Sequence, residues 1–381
     1  MNGRVSVVKC DSYAEEEVQT AVSKSISLVG GLNSIIGVGD KVLVKPNLLS
    51  AMSPDRHVTT HPSVVKAVVE EVKSVGASPI IGDTPGGPVT RKILDRLYGR
   101  TGMTRVAEET GAGLNYDTEN MQIAFPEGKL IKRLDVMAVL AEVDHVITLP
   151  KMKTHLFTQF TGATKILFGV IPGLAKPAYH LKFHDVMEFS DMLLDLLEYV
   201  RPSLSLMDGI VGLEGDGPGA SGTPKEAGVI LAGRDSVALD VVAASIAGMN
   251  PADVPVLKRA IERGMVSGKL SDVGVVGESI DSVKTSFKQP SHRMGLVGRL
   301  MSSSLMRKVM LKNMAPYPDS NSKCVRCGVC AQNCPAHAIT MGDRARMDLE
   351  KCIRCYCCHE LCPHSAVDLR NTLIGRMLSR T

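Results

Sequence analysis

Cys324-Val-Arg-Cys327-Gly-Val-Cys330-Ala-Gln-Asn-Cys334-Pro335 and Cys352-Ile-Arg-Cys355-Tyr-Cys-Cys358-His-Glu-Leu-Cys362-Pro363 contain nine of the ten cysteines in a chain of 381 residues. Both read C-x-x-C-x-x-C-x-x-x-C-P at an offset of 28, and Val325/Ile353, Arg326/Arg354 and Ile339/Val367 keep that offset, so the segment is an internal duplication. The opening residues 1–9 are too short in apolar length for an export signal, and thiols clustered in such a chain argue for metal ligands rather than disulfides. Zinc sites share tetrahedral sulfur ligation, but they pair C-x₂₋₄-C knuckles where this sequence has triplets followed by C-P. Cys357 stands between two such positions and reads as a small apolar filler in preference to a substitute ligand.

The spacing resembles the bacterial two-cluster ferredoxins over residues 319–370. The resemblance implies a small α+β domain with two [4Fe–4S] clusters, in which three thiolates of one loop serve one cluster and the fourth, next to its proline, serves the other. By that rule Cys324, Cys327, Cys330 and Cys362 hold the first cluster, and Cys352, Cys355, Cys358 and Cys334 the second. Seven basic and six acidic residues in this module make it near neutral. It therefore reads as an internal relay served by an electron donor or acceptor protein.

Upstream, residues 290–318 carry five basic residues, five methionines and no acid. They read as amphipathic linker helices that pack on the rest of the chain, in preference to a membrane-facing role. A basic tail, 371–381, follows the module. Residues 1–289 hold 30 Lys and Arg against 34 Asp and Glu, and Trp is absent. Neither charge nor aromatic content suits nucleic acid. No run of 18 apolar residues provides a membrane span, and the expected compartment is the cytoplasm.

Residues 1–289 alternate short apolar runs with amphipathic stretches, the pattern of a mostly parallel α/β sheet. Strands are expected at Val5–Val8, Lys41–Lys45, Pro79–Gly82, His145–Leu149, Ser203–Met207, Val229–Ala232 and Val273–Val276. Helices are expected at 14–28, 61–74, 184–199, 236–247 and 254–264, with a hairpin over Met121–Arg133. Ligands in such sheets collect at the carboxyl ends of strands. There the sequence places Pro46-Asn47, Asp83-Thr84-Pro85-Gly86-Gly87 and the loop Lys151-Met-Lys153-Thr-His155. His155, Lys165, Lys153 and Asp83 are the candidate catalytic groups, with His155 as general acid. Lys45, Asn47, Lys151, Thr84, Gly86 and Gly87 are the candidates for binding an anionic small molecule or a second cofactor. Gly217-Pro-Gly-Ala-Ser-Gly222 matches G-x-G-x-x-G but neither leaves a strand directly nor opens a helix, so it is not read as a dinucleotide fingerprint. Asp235 and Asp240 read as a helix cap and a first-turn acid.

The set Val44-Lys45-Pro46-Asn47, His61-Pro62, Gly82-Asp83-Thr84, Leu149 to His155, Lys165 and Asp208-Gly209 resembles the domain-of-unknown-function 362 family, whose members often carry a ferredoxin tail. A weaker likeness joins His155, Lys165 and the Pro-Gly after it to the nickel-pincer lactate racemases. There such a lysine carries the pincer nucleotide, and His180 or His184 would stand in for the nickel-binding histidine. The loop after strand 79–82 departs from that pattern by lacking a histidine. Three readings follow: an iron–sulfur oxidoreductase acting on an anionic substrate or cofactor, a non-catalytic electron-transfer or maturation partner, and a pincer-type isomerase.

Overall fold

The computed structural model describes residues 3–290, 316–370 and 372. Of the expected linker helices, residues 291–315 lie outside the described residues and Tyr317 and Pro318 are extended in a strand, not helical; all of the basic tail but residue 372 lies outside as well. Strands β1 (Arg4–Lys9), β2 (Lys41–Pro46), β3 (Ser78–Ile81), β4 (Gly113–Leu114), β5 (Asn120–Ala124), β6 (Arg133–Met137), β7 (His145–Leu149), β8 (Lys151–His155), β9 (Gln159–Thr161), β10 (Leu204–Glu214), β11 (Thr223–Gly233) and β12 (Gly274–Gly277) build the body. The main sheet runs β12-β1-β11-β10-β7-β2-β3-β4, with β8 and β9 attached beyond the end of β7. Its neighbours are parallel except β11, which lies antiparallel to both β1 and β10. The hairpin is present as β5 and β6.

Alternation along the strands explains the layers, because successive side chains point to opposite faces of a sheet. Leu43, Val229 and Leu231 face one core; Val42, Val44, Ile230 and Ala232 face the other. The second core is covered by α1 (Glu15–Leu28), α2 (Pro62–Ser74), α3 (Arg91–Thr101) and α4 (Met103–Thr110). The first is covered by α5 (Lys176–Lys182), α6 (Val186–Val200), α7 (Ser236–Ile246) and α8 (Pro255–Glu262). Helix starts follow local chemistry. His61 accepts from Ser63 N with Pro62 in the first turn, Asp185 accepts from Met187 N and Glu188 N, and Asp235 accepts from Val237 N and Ala238 N.

Two expectations are corrected. Lys151–His155 is not a loop but strand β8, pairing with β10 in parallel and β9 in antiparallel fashion. Every one of its residues is buried. Asp240 is not a first-turn acid of α7 but its fifth residue. It is buried, and it accepts from Ala163 N at 2.6 Å and Thr164 N at 2.9 Å.

The cysteine-rich module consists of two small antiparallel pairs, Tyr317–Ser320 with Val367–Arg370 and Ile339–Met341 with Ala345–Met347. Single helical turns at Val329–Gln332 and Cys357–Glu360 follow the two cysteine loops.

Candidate redox centre and its adjoining cavity

All ten cysteines are free. Cys324, Cys327, Cys330 and Cys362 line one hollow, walled by Val325, Val329, Met341, Ala345 and Val367. Cys334, Cys352, Cys355 and Cys358 line a second, with Cys357 beside them. The structure thus brings together the thiols that the spacing rule joins, including the crossover of Cys334 and Cys362. The two repeats match in detail: Ala338 N donates to Cys334 Sγ and Ala366 N to Cys362 Sγ, each at 3.2 Å. Four thiolates on a single zinc ion would stand about 3.8 Å apart. Among the described residues no three of His, Cys, Asp and Glu close around one ion. Sulfurs spread around an apolar hollow suit an iron–sulfur cluster.

In the body, β8 runs Lys151, Lys153 and His155 along one face, and each meets a different fate. Lys151 Nζ lies 2.7 Å from Asp208 Oδ2 and also reaches the Tyr13 hydroxyl, which donates to Asp208 Oδ1. That lysine, a candidate for ligand binding, is occupied in a dry ion pair. Lys153 Nζ donates to Val58 O at 2.8 Å and Asn47 Oδ1 at 3.2 Å and makes no ion pair with a carboxylate among the described residues. Burial first, then Lys165 and Lys151, pull its amine down to about 7. His155 Nδ1 accepts from Phe157 N and Thr158 N. Two donors at Nδ1 leave the neutral ring's proton on Nε2, which lies 3.2 Å from Glu360 Oε1, outside hydrogen-bond alignment. Burial, with Lys165 and His180 nearby, holds His155 well below the usual histidine range.

Lys45 is likewise committed, at 2.6 Å from Asp83 Oδ1 and donating to Ile166 O, while Asp83 Oδ2 accepts from Leu48 N. This pair clamps the ends of β2 and β3 to the turn that starts at Lys165.

Lys165 itself is held out by Asp240. Its carboxylate gathers the amides of Ala163 and Thr164, and a Cβ on Gly162 would sit 1.9 Å from Asp240 Oδ1, so only glycine fits. The Lys165 amine makes no hydrogen bond or ion pair among the described residues. It points instead toward a cavity of about 110 Å³ between body and module. Asn47, Asp83, Thr84, Gly86 and Lys165 from the sequence-derived set line this cavity. Lys45, Gly87, Lys151, Lys153 and His155 do not.

Four lining residues escaped the sequence reading in that role. Lys176, at the start of α5, donates to Thr84 O and Pro85 O, and burial lowers its amine to about 7. His180, one turn on, stacks on Phe189 at 4.8 Å; burial pushes it down to about 3, and its Nδ1 has no hydrogen-bond partner among the described residues. His184, by contrast, is exposed. Glu360 and Cys357 come from the module. Burial raises the Glu360 carboxyl against the pull of Lys165, and Cys357 borders both the cavity and the second thiol hollow. Lys176 and His180 are placed by packing within the body, whereas Cys357 and Glu360 acquire their place only when the module meets it.

That meeting uses the glycine-rich loop. A Cβ on Gly219 would lie 2.4 Å from Glu360 O, His359 Nε2 meets Asp216 O at 3.1 Å, and Ser365 Oγ donates to Ala220 O. The G-x-G-x-x-G match is a seat for the module.

Fold and thiols together define the class: a three-layer α/β body joined to an iron–sulfur module of ferredoxin type. The chain belongs to the family described as Domain of unknown function (DUF362), whose model matches residues 42–245, and a 4Fe-4S dicluster domain matches residues 323–366. A thylakoid-associated protein of Synechocystis sp. is 31% identical over 259 residues, covering 66% of this chain and 77% of that protein. Among solved structures, the lactate racemase apoprotein of Thermoanaerobacterium thermosaccharolyticum aligns with a TM-score of 0.42 at 14% identity over 65% of this chain. A protein of Thermotoga maritima aligns with a TM-score of 0.37 at 14% identity over 60% of this chain. The chain spans 57% of each of those two structures. No helix among the described residues is long and apolar enough to cross a membrane.

Proposed function

We propose that this chain is an iron–sulfur oxidoreductase in which two [4Fe–4S] clusters exchange electrons with a small organic anion in the cavity between body and module. In this reading Cys324, Cys327, Cys330 and Cys362 hold one cluster, and Cys334, Cys352, Cys355 and Cys358 the other. The observation that carries it is Cys357, a wall shared by the cavity and the second hollow. A division into a body (1–289), linker, module and tail (371–381) belongs to the same proposal, with the linker expected over 290–318 shortened because Tyr317 and Pro318 pair with Arg370 and Leu369 inside the module.

Bound clusters supply one-electron transfer. The chain's own residues supply the rest. Lys165 and Lys176 face the cavity with amines that burial discourages from carrying charge. An entering carboxylate or phosphate provides the missing counter-charge, which favours anions over neutral ligands. Near neutral pH Lys176 is present in both forms, suited to passing a proton to a ligand as its charge changes. His155 keeps its proton at Nε2 behind Glu360, and Ile166, Phe168 and Leu361 exclude water from the remaining wall.

The test begins with protein purified without oxygen, in which iron analysis is expected to give about eight atoms per chain. The reduced protein is then mixed with small carboxylates and phosphate esters while its visible spectrum is followed. Ligand-driven reoxidation is expected, slowed about 100-fold by Lys165→Ala or His180→Ala with iron content unchanged. Undiminished reoxidation in both variants would remove the cavity from the reaction. A tight complex with another redox enzyme and no reoxidation by small molecules would favour the docking-platform reading instead.

Nine clustered thiols support a reducing compartment, the cytoplasm or a membrane face turned toward it. The thylakoid association of the Synechocystis relative adds peripheral membrane contact to that setting.

A further inference from the structure

We propose that the face around Cys327 is the docking surface for a small, acidic, one-electron carrier protein. This rests on the cluster assignment above and concerns the opposite end of the electron path from the cavity.

The two thiol sets are not equally accessible. Cys327 of the first set is exposed, whereas in the second set Cys358 is buried and Cys334, Cys352 and Cys355 are half-buried, with Cys357 beside them lining the cavity. Cys357 therefore joins the second hollow to the cavity, and Cys327 brings the first to solvent. Electron transfer weakens steeply with distance, so an external carrier gains most by approaching the first.

The surface there has the make-up of a transient interface, an apolar centre within a charged rim. Val325 is 57% exposed and Met341 39% exposed, both lining the first hollow. Lys323, Arg326 and Arg344 are exposed beside them, with Arg326 held at φ 59° in the left-handed region. The module's acids are largely engaged elsewhere. Asp319 pairs with Arg370 at 2.7 Å, Asp368 accepts from Asn321 at 2.9 Å, Asp348 lies 3.5 Å from Lys351, and Glu360 is buried against His155. Glu350 stands beside Lys351 on the second repeat, and Asp343 sits in the turn beside Arg344. The rim is therefore net positive, and its complement is a carrier with carboxylates around its redox group, steered in by long-range attraction. In each encounter one electron leaves, for example, the anionic hydroquinone of a flavodoxin. The neutral semiquinone remains, and no proton or bond changes hands.

The experiment uses the full, iron-loaded chain and an acidic flavodoxin. Binding is measured calorimetrically with both proteins oxidised, so that no turnover enters the result. Affinity is expected to fall about tenfold as salt rises from about 0.05 M to 0.5 M. Lys323→Glu with Arg326→Glu is expected to weaken low-salt binding by at least tenfold and to flatten the salt response, while Lys351→Glu on the second repeat changes it less than twofold. Stopped-flow transfer from flavodoxin hydroquinone should fall in parallel, with reduction by dithionite unaltered. If the double variant loses iron, Arg344→Glu, which flanks no cysteine, reads the same charge. The proposal is overturned if the charge reversals leave binding unchanged or if salt has no effect. It is equally overturned if vesicles of anionic lipid, but not flavodoxin, bind through Lys323 and Arg326. Loss of ligand reoxidation alone would count against the cavity reading and leave this one standing.

Discussion

Lys153 illustrates how burial and charge divide the work among residues that look alike in sequence. Its amine loses a proton near pH 7 in the fold and near the ordinary lysine value of 10.5 when unfolded. Between those values the unfolded chain binds the extra proton, so stability rises with pH across that window. Lys153→Met removes this term. The variant's advantage in thermal midpoint should be largest at pH 7 and shrink toward pH 10; a gap independent of pH would mean that the amine keeps its charge. Asp240 acts at the same scale as a positioning residue. Asp240→Asn keeps the volume but lets only one side-chain oxygen accept, leaving one of two buried amides unpaired at a cost of about 1–3 kcal/mol. It is expected to slow ligand reoxidation while iron content stays intact, because it moves Lys165 and touches no thiol.

At the scale of elements, the strands and helices around the sheet were legible because each carried its own periodicity and punctuation. His61-Pro62, Asp185 and Asp235 mark helix starts by chemistry that acts within three residues. The two quartets of thiols that line the hollows were legible for a similar reason, since a repeated spacing encodes its own geometry. Strand β8 was not. Lysine and histidine at alternate positions read as a polar loop, and it is distant partners, Asp208 and Tyr13 for Lys151 and Asn47 and Val58 for Lys153, that make burial of the two lysines tolerable. The place of Lys176, Cys357 and Glu360 in the cavity wall was hidden for the same reason, as it depends on one element arriving against another; His180 was singled out only through a family likeness. The seat at Gly219 tests that arrival. Gly219→Val puts a branched side chain where Glu360 O already lies 2.4 Å from the first added carbon. Hydrogen exchange is expected to rise at Cys357–Glu360 and ligand reoxidation to fall, with near-normal iron. Unchanged exchange would show that the loop can yield without releasing the module.

For the whole molecule, the arrangement has a direction. The first thiol hollow opens to solvent among basic residues, the second abuts the cavity, and the body supplies the amines that would meet an anion. A chain ending at residue 289 keeps Lys165, Lys176 and His180 but lacks Glu360, Cys357 and Leu361. It should therefore bind small anions at least tenfold more weakly than the full chain, as read by calorimetry without any electron transfer. Equal affinity in the two would confine ligand recognition to the body.

The wall contributed by Cys357, Glu360 and Leu361 belongs to the same short loop as Cys355, Cys358 and Cys362. Extraction of iron from that loop would loosen the wall along with the wire. Fuel and furnace are then fitted to one hinge: a copy of the protein starved of iron would lose its grip on the ligand as well as its electrons, and would not sequester a molecule it had no means to convert.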